Sequence, residues 1–297
     1  MKILVTGAAG FLGRHVCQRA NALGHKVAGT YRSAPGSLPF VEWLRVDVTD
    51  TSAMDALIEA TQPDAIVHTA TKLAGSLAPL AAETNWTTNA IAPVHIARAS
   101  ARHGIRLVHI SSDAVHRGRD EPYSDAVAPD PIYSYGAAKA AAELGVATVA
   151  PQAVIVRVPP IMSDGSDRDR LAYRERFMLD LARSRAEGVL FTDEIRCPIV
   201  VDDLADACVE LAGNDIAGLV NVAGADIMSL YDMGRLVVAK HGGDPDALPA
   251  ATHESAAVTR PGRVVLDSAR ARAVLSTRLR GLREVYAGSN SIDIASP

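Results

Sequence analysis

The chain has 297 residues, enough to bury a sizeable core as one large domain or two small ones. Hydrophobic residues make up 48% and charged residues 22%, and the formal net charge is −4, so the balance argues against nucleic acid or an anionic membrane as a partner. Cys17, Cys197 and Cys208 share no CxxC or metal-ligand spacing; they read as small buried hydrophobes in a reducing compartment, and no metal site is expected.

The sequence opens almost directly on a strand, which leaves no room for a signal peptide, and no apolar run reaches the length of a membrane span. A cytoplasmic monomer or homodimer acting on a small molecule is expected. Lys2 to Thr6 is the first apolar run, followed by a glycine-rich turn and a helical pattern from Phe11 to Leu23 that Gly24 closes. Val27 to Thr30 and Leu44 to Val48 read as the second and third strands. Between the third and Ala65 to His68, the fourth, lies a helix over Ser52 to Thr61, with Asp50, Thr51 or Ser52 as its N-cap. Glu83 to His103 reads as a long helix, Leu107 to Ser111 as a strand, Tyr135 to Val149 as a helix and Ala153 to Val158 as a sixth strand. Strands alternating with helices at this spacing predict an α/β fold of Rossmann type, a doubly wound parallel sheet covered on both faces. The rhythm loosens after Val158, where Pro159-Pro160 and a charged run from Asp164 to Arg176 intervene; the run reads either as a solvated loop and helix start or as a lid. Further strands near Pro198 to Val201 and Leu219 to Val222 are expected to extend the sheet. The dinucleotide domain then takes 1–158 and 195–224, and a smaller substrate-binding part takes 159–194 and 225–297, with the last dozen residues frayed.

Gly7, Gly10 and Gly13 stand between the first strand and the first helix. Glycines there let the backbone turn tightly, approach a pyrophosphate and pack helix on strand, while the helix N-terminus offers N–H groups and a positive dipole end. In a βαβ unit that pattern predicts a dinucleotide site. NAD-preferring sites carry an acidic residue at the end of the second strand; here the stretch is Thr30-Tyr31-Arg32-Ser33. Arg32 would instead meet a 2′-phosphate with its forked guanidinium, which predicts NADP(H) as the preferred cofactor with NAD(H) possible. Asp47 is placed for the adenine amino group or for a turn. Tyr135 and Lys139 lie four apart on one helix face, so the phenol and the ammonium converge, and the cation is expected to lower the Tyr135 pKa. Ser111 and Ser112 end the fifth strand at the carboxyl edge, where ligands bind open α/β sheets. His68, His109 and His116 fall at or near strand ends, either facing the cleft or as satisfied structural imidazoles. Asp202-Asp203 before a helix reads as an N-cap and first-turn charge.

Together these elements resemble the extended short-chain dehydrogenase/reductases, and more finely the dTDP-4-dehydrorhamnose reductase family, whose members reduce the 4-keto group of nucleotide-linked 6-deoxyhexoses. The similarity runs in order through Met1 to Gly13, Asn89-Ala90, Leu107 to Val115, Pro122 to Asp125, Tyr135 to Glu143, Val201 to Ala205, Arg260-Pro261 and Leu266-Asp267. It implies Ser112 at the catalytic hydroxyl position, Tyr135 as general acid and Lys139 as partner of the phenol and the cofactor ribose, with Asn89 holding the lysine through a water. By the same resemblance Gly7, Gly10, Phe11, Leu12, Gly13, Arg32, Asp47, Val48, Thr69, Ala70, Asn89, Tyr135 and Lys139 would contact the cofactor. Ser111, Ser112, Asp113, Tyr135, Pro159 and Pro160 would contact the substrate.

The chain departs from the family pattern at Arg157-Val158-Pro159-Pro160-Ile161-Met162, which lacks the aromatic residues after the sixth strand, and at Thr69-Ala70-Thr71-Lys72-Leu73. A dehydratase would need a glutamate where Ala114 follows Ser112-Asp113, and an epimerase favours an acidic ribose clamp. Simple reduction of a ketone is the expectation. The alternatives are another short-chain enzyme activity on a different substrate and a non-catalytic NADP-binding regulatory subunit.

Overall fold

The computed structural model describes residues 1–72, 86–166, 171–256 and 259–287. The expected helix start at Glu83, part of the charged run and the last ten residues lie outside these residues, whereas Tyr286 and Ala287, expected to be frayed, end a helix. The first half runs β1 (Lys2–Thr6), α1 (Phe11–Ala22), β2 (Lys26–Tyr31), β3 (Val41–Arg45), α2 (Thr51–Thr61), β4 (Ala65–His68), α3 (Ala92–His103), β5 (Arg106–Ile110), α4 (Ser134–Val149) and β6 (Val154–Arg157). There follow β7 (Ile161–Met162), α5 (Tyr173–Ala182), β8 (Leu190–Phe191), β9 (Ile195–Arg196), β10 (Ile199–Val200), α6 (Val201–Ala212) and β11 (Gly218–Asn221). The last are β12 (Met228–Ser229), α7 (Leu230–Lys240), β13 (Ala250–Ala251), α8 (Ala269–Val274) and α9 (Leu282–Ala287).

Seven parallel strands form the central sheet in the order β11-β6-β5-β4-β1-β2-β3. Alternation within each strand sends Ile3, Val5, Val67, Val108 and Val156 to one face, where Leu12, Val16 and Cys17 of α1 meet Leu204, Cys208 and Leu211 of α6. Leu4, Ile66, Leu107 and Ile155 go to the other face, under Met54 and Ile58 of α2, Ile96 of α3 and Val146 of α4. The apolar residues of α1 recur every three to four positions, so one stripe is buried while Arg19 stays at the surface. Asp50 caps α2 by accepting from the Ala53 amide at 3.0 Å, and Gly104 ends α3 with a left-handed φ of 65°. No helix among the described residues is long and apolar enough to cross a membrane.

Two expectations are corrected. The third strand lies at Val41–Arg45 rather than Leu44–Val48, because Val46 to Asp50 turns toward α2 through hydrogen bonds such as Asp50 N to Asp47 O at 3.0 Å. Ile199–Val200 does not extend the sheet: it pairs with Ile161–Met162 in a separate two-stranded ladder, while Gly218–Asn221 takes the edge position beside β6. Beyond the sheet, Met162, Met178, Leu190, Met233, Val237 and Tyr286 gather in a second core where α5 packs on α7. Ala271, Leu275 and Leu279 return to the core of the sheet. Strand order reverses between β1 and β4, which opens a crevice at their carboxyl ends.

Candidate active site

The glycine turn sits at that crevice. Gly7 has φ 71°, and a Cβ on it would lie 2.8 Å from the Ala70 Cα; a Cβ on Gly13 would lie 2.3 Å from the Gly7 carbonyl oxygen. Only a bare backbone fits, and it is tied down by Gly10 N to Gly7 O at 2.9 Å and Gly7 N to Thr30 Oγ1 at 3.2 Å. The first turn of α1 holds no acidic residue and no side-chain cap, so its positive end is not neutralised from within the helix. Leu12 is buried, and Phe11 packs edge-on against His15. These residues fit a dinucleotide pyrophosphate. Arg32 is exposed just beyond β2. Asp47 accepts from Thr49 N at 3.0 Å and Thr49 Oγ1 at 2.8 Å, and these bonds, with the charge of Arg32, hold its carboxyl below the usual range. Val48 is buried in the core below, and Thr69 donates to the Thr6 carbonyl at 2.8 Å beside Ala70.

Tyr135 and Lys139 enter from the first two turns of α4, whose close approach to the end of β5 depends on Gly136: a Cβ there would fall 2.0 Å from the Ala114 carbonyl. Burial and the nearby Asp113 carboxylate raise the Tyr135 pKa, against the opposing effect of hydrogen bonding with the Thr71 and Ser112 hydroxyls. The expected lowering by Lys139 is therefore not found. The Lys139 amine instead donates to the Ile110 carbonyl at 2.5 Å, and its burial lowers its own pKa to about 8, opposed by Glu143.

Ser112 is half-buried at the edge; its hydroxyl accepts from Ala114 N and donates to Asp113 Oδ1, each at 3.2 Å. Ser111 lies apart from this group: it is buried, and its hydroxyl donates to Glu143 Oε1 at 2.6 Å. Asn89 sits in a five-residue π turn, Thr87–Ile91, that leads into α3. Its carbonyl accepts from Thr71 Oγ1 and Lys72 N at 3.0 Å each, and its amide donates to Lys72 O at 2.9 Å. A one-residue expansion of the helical turn aims the amide at this strand end. Pro159-Pro160 carries the chain from β6 to β7, with Asp113 N on the Val158 carbonyl and Ile199 N on the Pro160 carbonyl. Asp202 and Asp203 lie in the first turn of α6, and Asp203 is bidentate with Arg280.

Sequence reasoning missed the charged wall opposite Tyr135. Asp113 Oδ2 lies 3.3 Å from Arg196 Nε, Arg196 Nη2 lies 3.2 Å from Glu194, and Arg260 Nε lies 2.9 Å from Glu194. Arg174 is a further cation in this field, and Tyr133 is acted on by Asp113, Arg196, Arg260 and Tyr135. Burial is the main cause of the raised pKa values of Asp113 and Tyr133. These residues come from five separate segments; Asp113 and Arg260-Pro261 stood out along the chain and Arg174 lay in the charged run, but nothing in the sequence tied them together.

Comparison with known proteins agrees with this layout. The chain is 29% identical over 252 residues to the dTDP-4-dehydrorhamnose reductase of Mycobacterium tuberculosis, covering 82% of this chain and 77% of that protein. It is 27% identical over 237 residues to the methionine adenosyltransferase 2 subunit beta of Xenopus tropicalis, covering 78% and 70%. The crystal structure of dTDP-4-dehydrorhamnose reductase from Bacillus anthracis in complex with NADP superposes with a TM-score of 0.80 at 22% identity, over 96% of each chain. Residues 1–288 match the family described as RmlD substrate binding domain, and the chain belongs to that family.

Proposed function

We propose that the protein is an NADPH-dependent reductase that delivers hydride to the keto carbon of a nucleotide-linked sugar, in the first instance a 4-keto-6-deoxyhexose. One arrangement carries the reading: Tyr135, one helical turn before Lys139 on α4, stands close to Ser112, Thr71 and Asp113 at the carboxyl edge of the sheet, beside the glycine turn. The names of the relatives point to the same substrate class.

The nicotinamide cofactor, when bound, supplies the hydride. Tyr135 gives its proton to the ketone oxygen as negative charge develops there. Ser112, on the same edge, donates a hydrogen bond to that oxygen, so both donors act more strongly in the transition state than in the ground state. Lys139, held by the Ile110 carbonyl, keeps a positive charge close to the phenolate left behind. The glycine turn and the α1 N-terminus hold the pyrophosphate, and Arg32 binds the 2′-phosphate that distinguishes NADPH from NADH. Asp113 is held by Arg196, and Ala114 stands where a dehydratase would need a second acid, which favours reduction over elimination.

The test is NADPH oxidation against a panel of nucleotide-linked keto sugars, with Tyr135→Phe as the control. That variant removes one positioned acid and should lose about 10²–10⁴-fold in kcat with NADPH affinity nearly unchanged. Full activity in Tyr135→Phe would overturn the mechanism. Tight NADPH binding without turnover on any member of the panel would favour a regulatory subunit.

A further inference from the structure

Thr6, His68 and His109 stand side by side at the carboxyl ends of β1, β4 and β5, in register as Thr6–His68 and His68–His109. They lie two residues beyond Leu4, Ile66 and Leu107 and so share the sheet face covered by α3 and α4. The hydroxyl of Thr6 is 2.6 Å from His68 Nδ1, and the two imidazoles are stacked with centroids 5.3 Å apart and planes 20° apart. Both rings are 1% exposed. Nevertheless His68 Nε2, His109 Nδ1 and His109 Nε2 have no hydrogen-bond partner among the described residues.

Buried polar atoms in folded proteins are almost always hydrogen-bonded, so three left unmet together at one spot call for an occupant. Its chemistry is set by what surrounds it. Lys139 donates to the carbonyl of Ile110, the residue after His109, and an ammonium has three hydrogens to place. A neutral imidazole offers one donor and one acceptor. An occupant that accepts from an ammonium and both accepts from and donates to imidazole is a water molecule, which needs two to four such partners.

We propose that His109 and His68 are positioning residues for Lys139, holding buried water that hydrogen-bonds its amine from the side opposite Tyr135. Asn89 is turned to Thr71 and Lys72, so the histidine pair is the polar group behind the lysine on the sheet side. Burial keeps both rings neutral near pH 7, with His68 lowered to about 3, so they solvate the ammonium without repelling it. The other groups around Lys139 are Tyr135 and Glu143 on its own helix, with Arg157 of β6 bound to Glu143. The proposal deepens the reductase reading and rests on it for the role of Lys139.

Two measurements test it, the first on the ligand-free, full-length protein. With ¹³C,¹⁵N-labelled lysine and histidine, wild type should show cross-relaxation between a long-lived internal water and the His109 ring protons. His109→Phe should move the Lys139 titration midpoint down by about one pH unit, a tenfold change in its protonation equilibrium, whereas His109→Gln, which keeps a donor and an acceptor, should return it to the wild-type value. In turnover, the alkaline limb of the kcat profile should move with the same midpoint in the same variants. Absence of the water signal in wild type overturns the proposal even where His109→Phe does not fold. So does a His109→Phe protein whose melting temperature falls while the Lys139 midpoint stays put, the mark of a merely structural ring. If the midpoint moves as expected but no keto sugar is reduced, the reductase reading fails and the water site stands.

Discussion

Replacing Glu143 by leucine isolates the most buried charge pair among the described residues. Arg157 is 0% exposed and Glu143 3% exposed. The carboxylate takes Arg157 Nε at 3.0 Å, Arg157 Nη2 at 2.8 Å and the Ser111 hydroxyl at 2.6 Å. Without it the guanidinium keeps the Val127 carbonyl at 3.0 Å and a long 3.4 Å contact to His116 Nε2, and Ser111 loses its acceptor. Breaking one side of such a pair typically costs about 3–5 kcal/mol. In a chain of this size that corresponds to a drop of roughly 6–10 °C in melting temperature, at about 2 °C per kcal/mol. The double variant Glu143→Leu/Arg157→Met removes both charges and should recover most of the loss, since an apolar pair of similar volume is often neutral. Urea denaturation followed by circular dichroism measures both, with an unchanged m-value as the control. A single variant within about 1 kcal/mol of wild type, or a double variant as unstable as the two singles added together, would refute the reasoning. Loss of Glu143 should also carry the Lys139 midpoint below its value of about 8, because that carboxylate is the charge holding it up.

Two further outcomes are expected. Arg32→Ala should weaken NADPH binding about tenfold to a hundredfold, the worth of one hydrogen bond to a charged group, and NADH binding less than about twofold, both by fluorescence titration; equal losses would remove Arg32 from the 2′-phosphate. Acid should destabilise the fold through His68, His109 and His116, whose folded pKa values are all depressed, chiefly by burial. The unfolded chain therefore takes up protons first, and stability present above an unfolded pKa of about 6.5 is lost as pH falls. Between about pH 7 and pH 5.5 the loss should be about 1.2 kcal/mol per imidazole, and a flat urea midpoint over that range would contradict it.

Much of this was legible in the residues alone because it depends on neighbours along the chain. Five of the six strands through Val158, the caps at Asp50 and Gly104, and the glycine turn follow from periodicity and local backbone chemistry, whereas the third strand lies three residues earlier than its apolar run suggests. Tyr135 and Lys139 could be paired from helical spacing, but the direction of the Tyr135 shift could not, since burial and Asp113 are tertiary facts. Ser111 and Ser112 look equivalent in sequence. Strand alternation separates them, sending the first hydroxyl to Glu143 and leaving the second at the edge. Arg174, Arg196 and Arg260 were illegible as a group because 22 and 64 residues separate them and only the tertiary fold brings them into the field of Asp113. Ile199–Val200 is apolar enough for the central sheet, and nothing local says that β7 claims it first.

The edge position of β11 also has a bearing on how the chain is made. Six of the seven sheet strands have been synthesised once residue 157 is in place, yet Arg157 then sits on an open edge. The strand that covers it begins at Gly218, about 3–12 seconds away at about 5–20 residues per second. Its last residue, Asn221, is pinned by its amide groups to the Tyr123 and Asp267 carbonyls and to the Asp125 carboxylate. A ribosome must therefore finish nearly the whole polypeptide before this seam can shut, and for that interval the nascent chain presents an unpaired β6. Truncations ending between residues 160 and 215 should be the ones that chaperones retain and that self-associate when released.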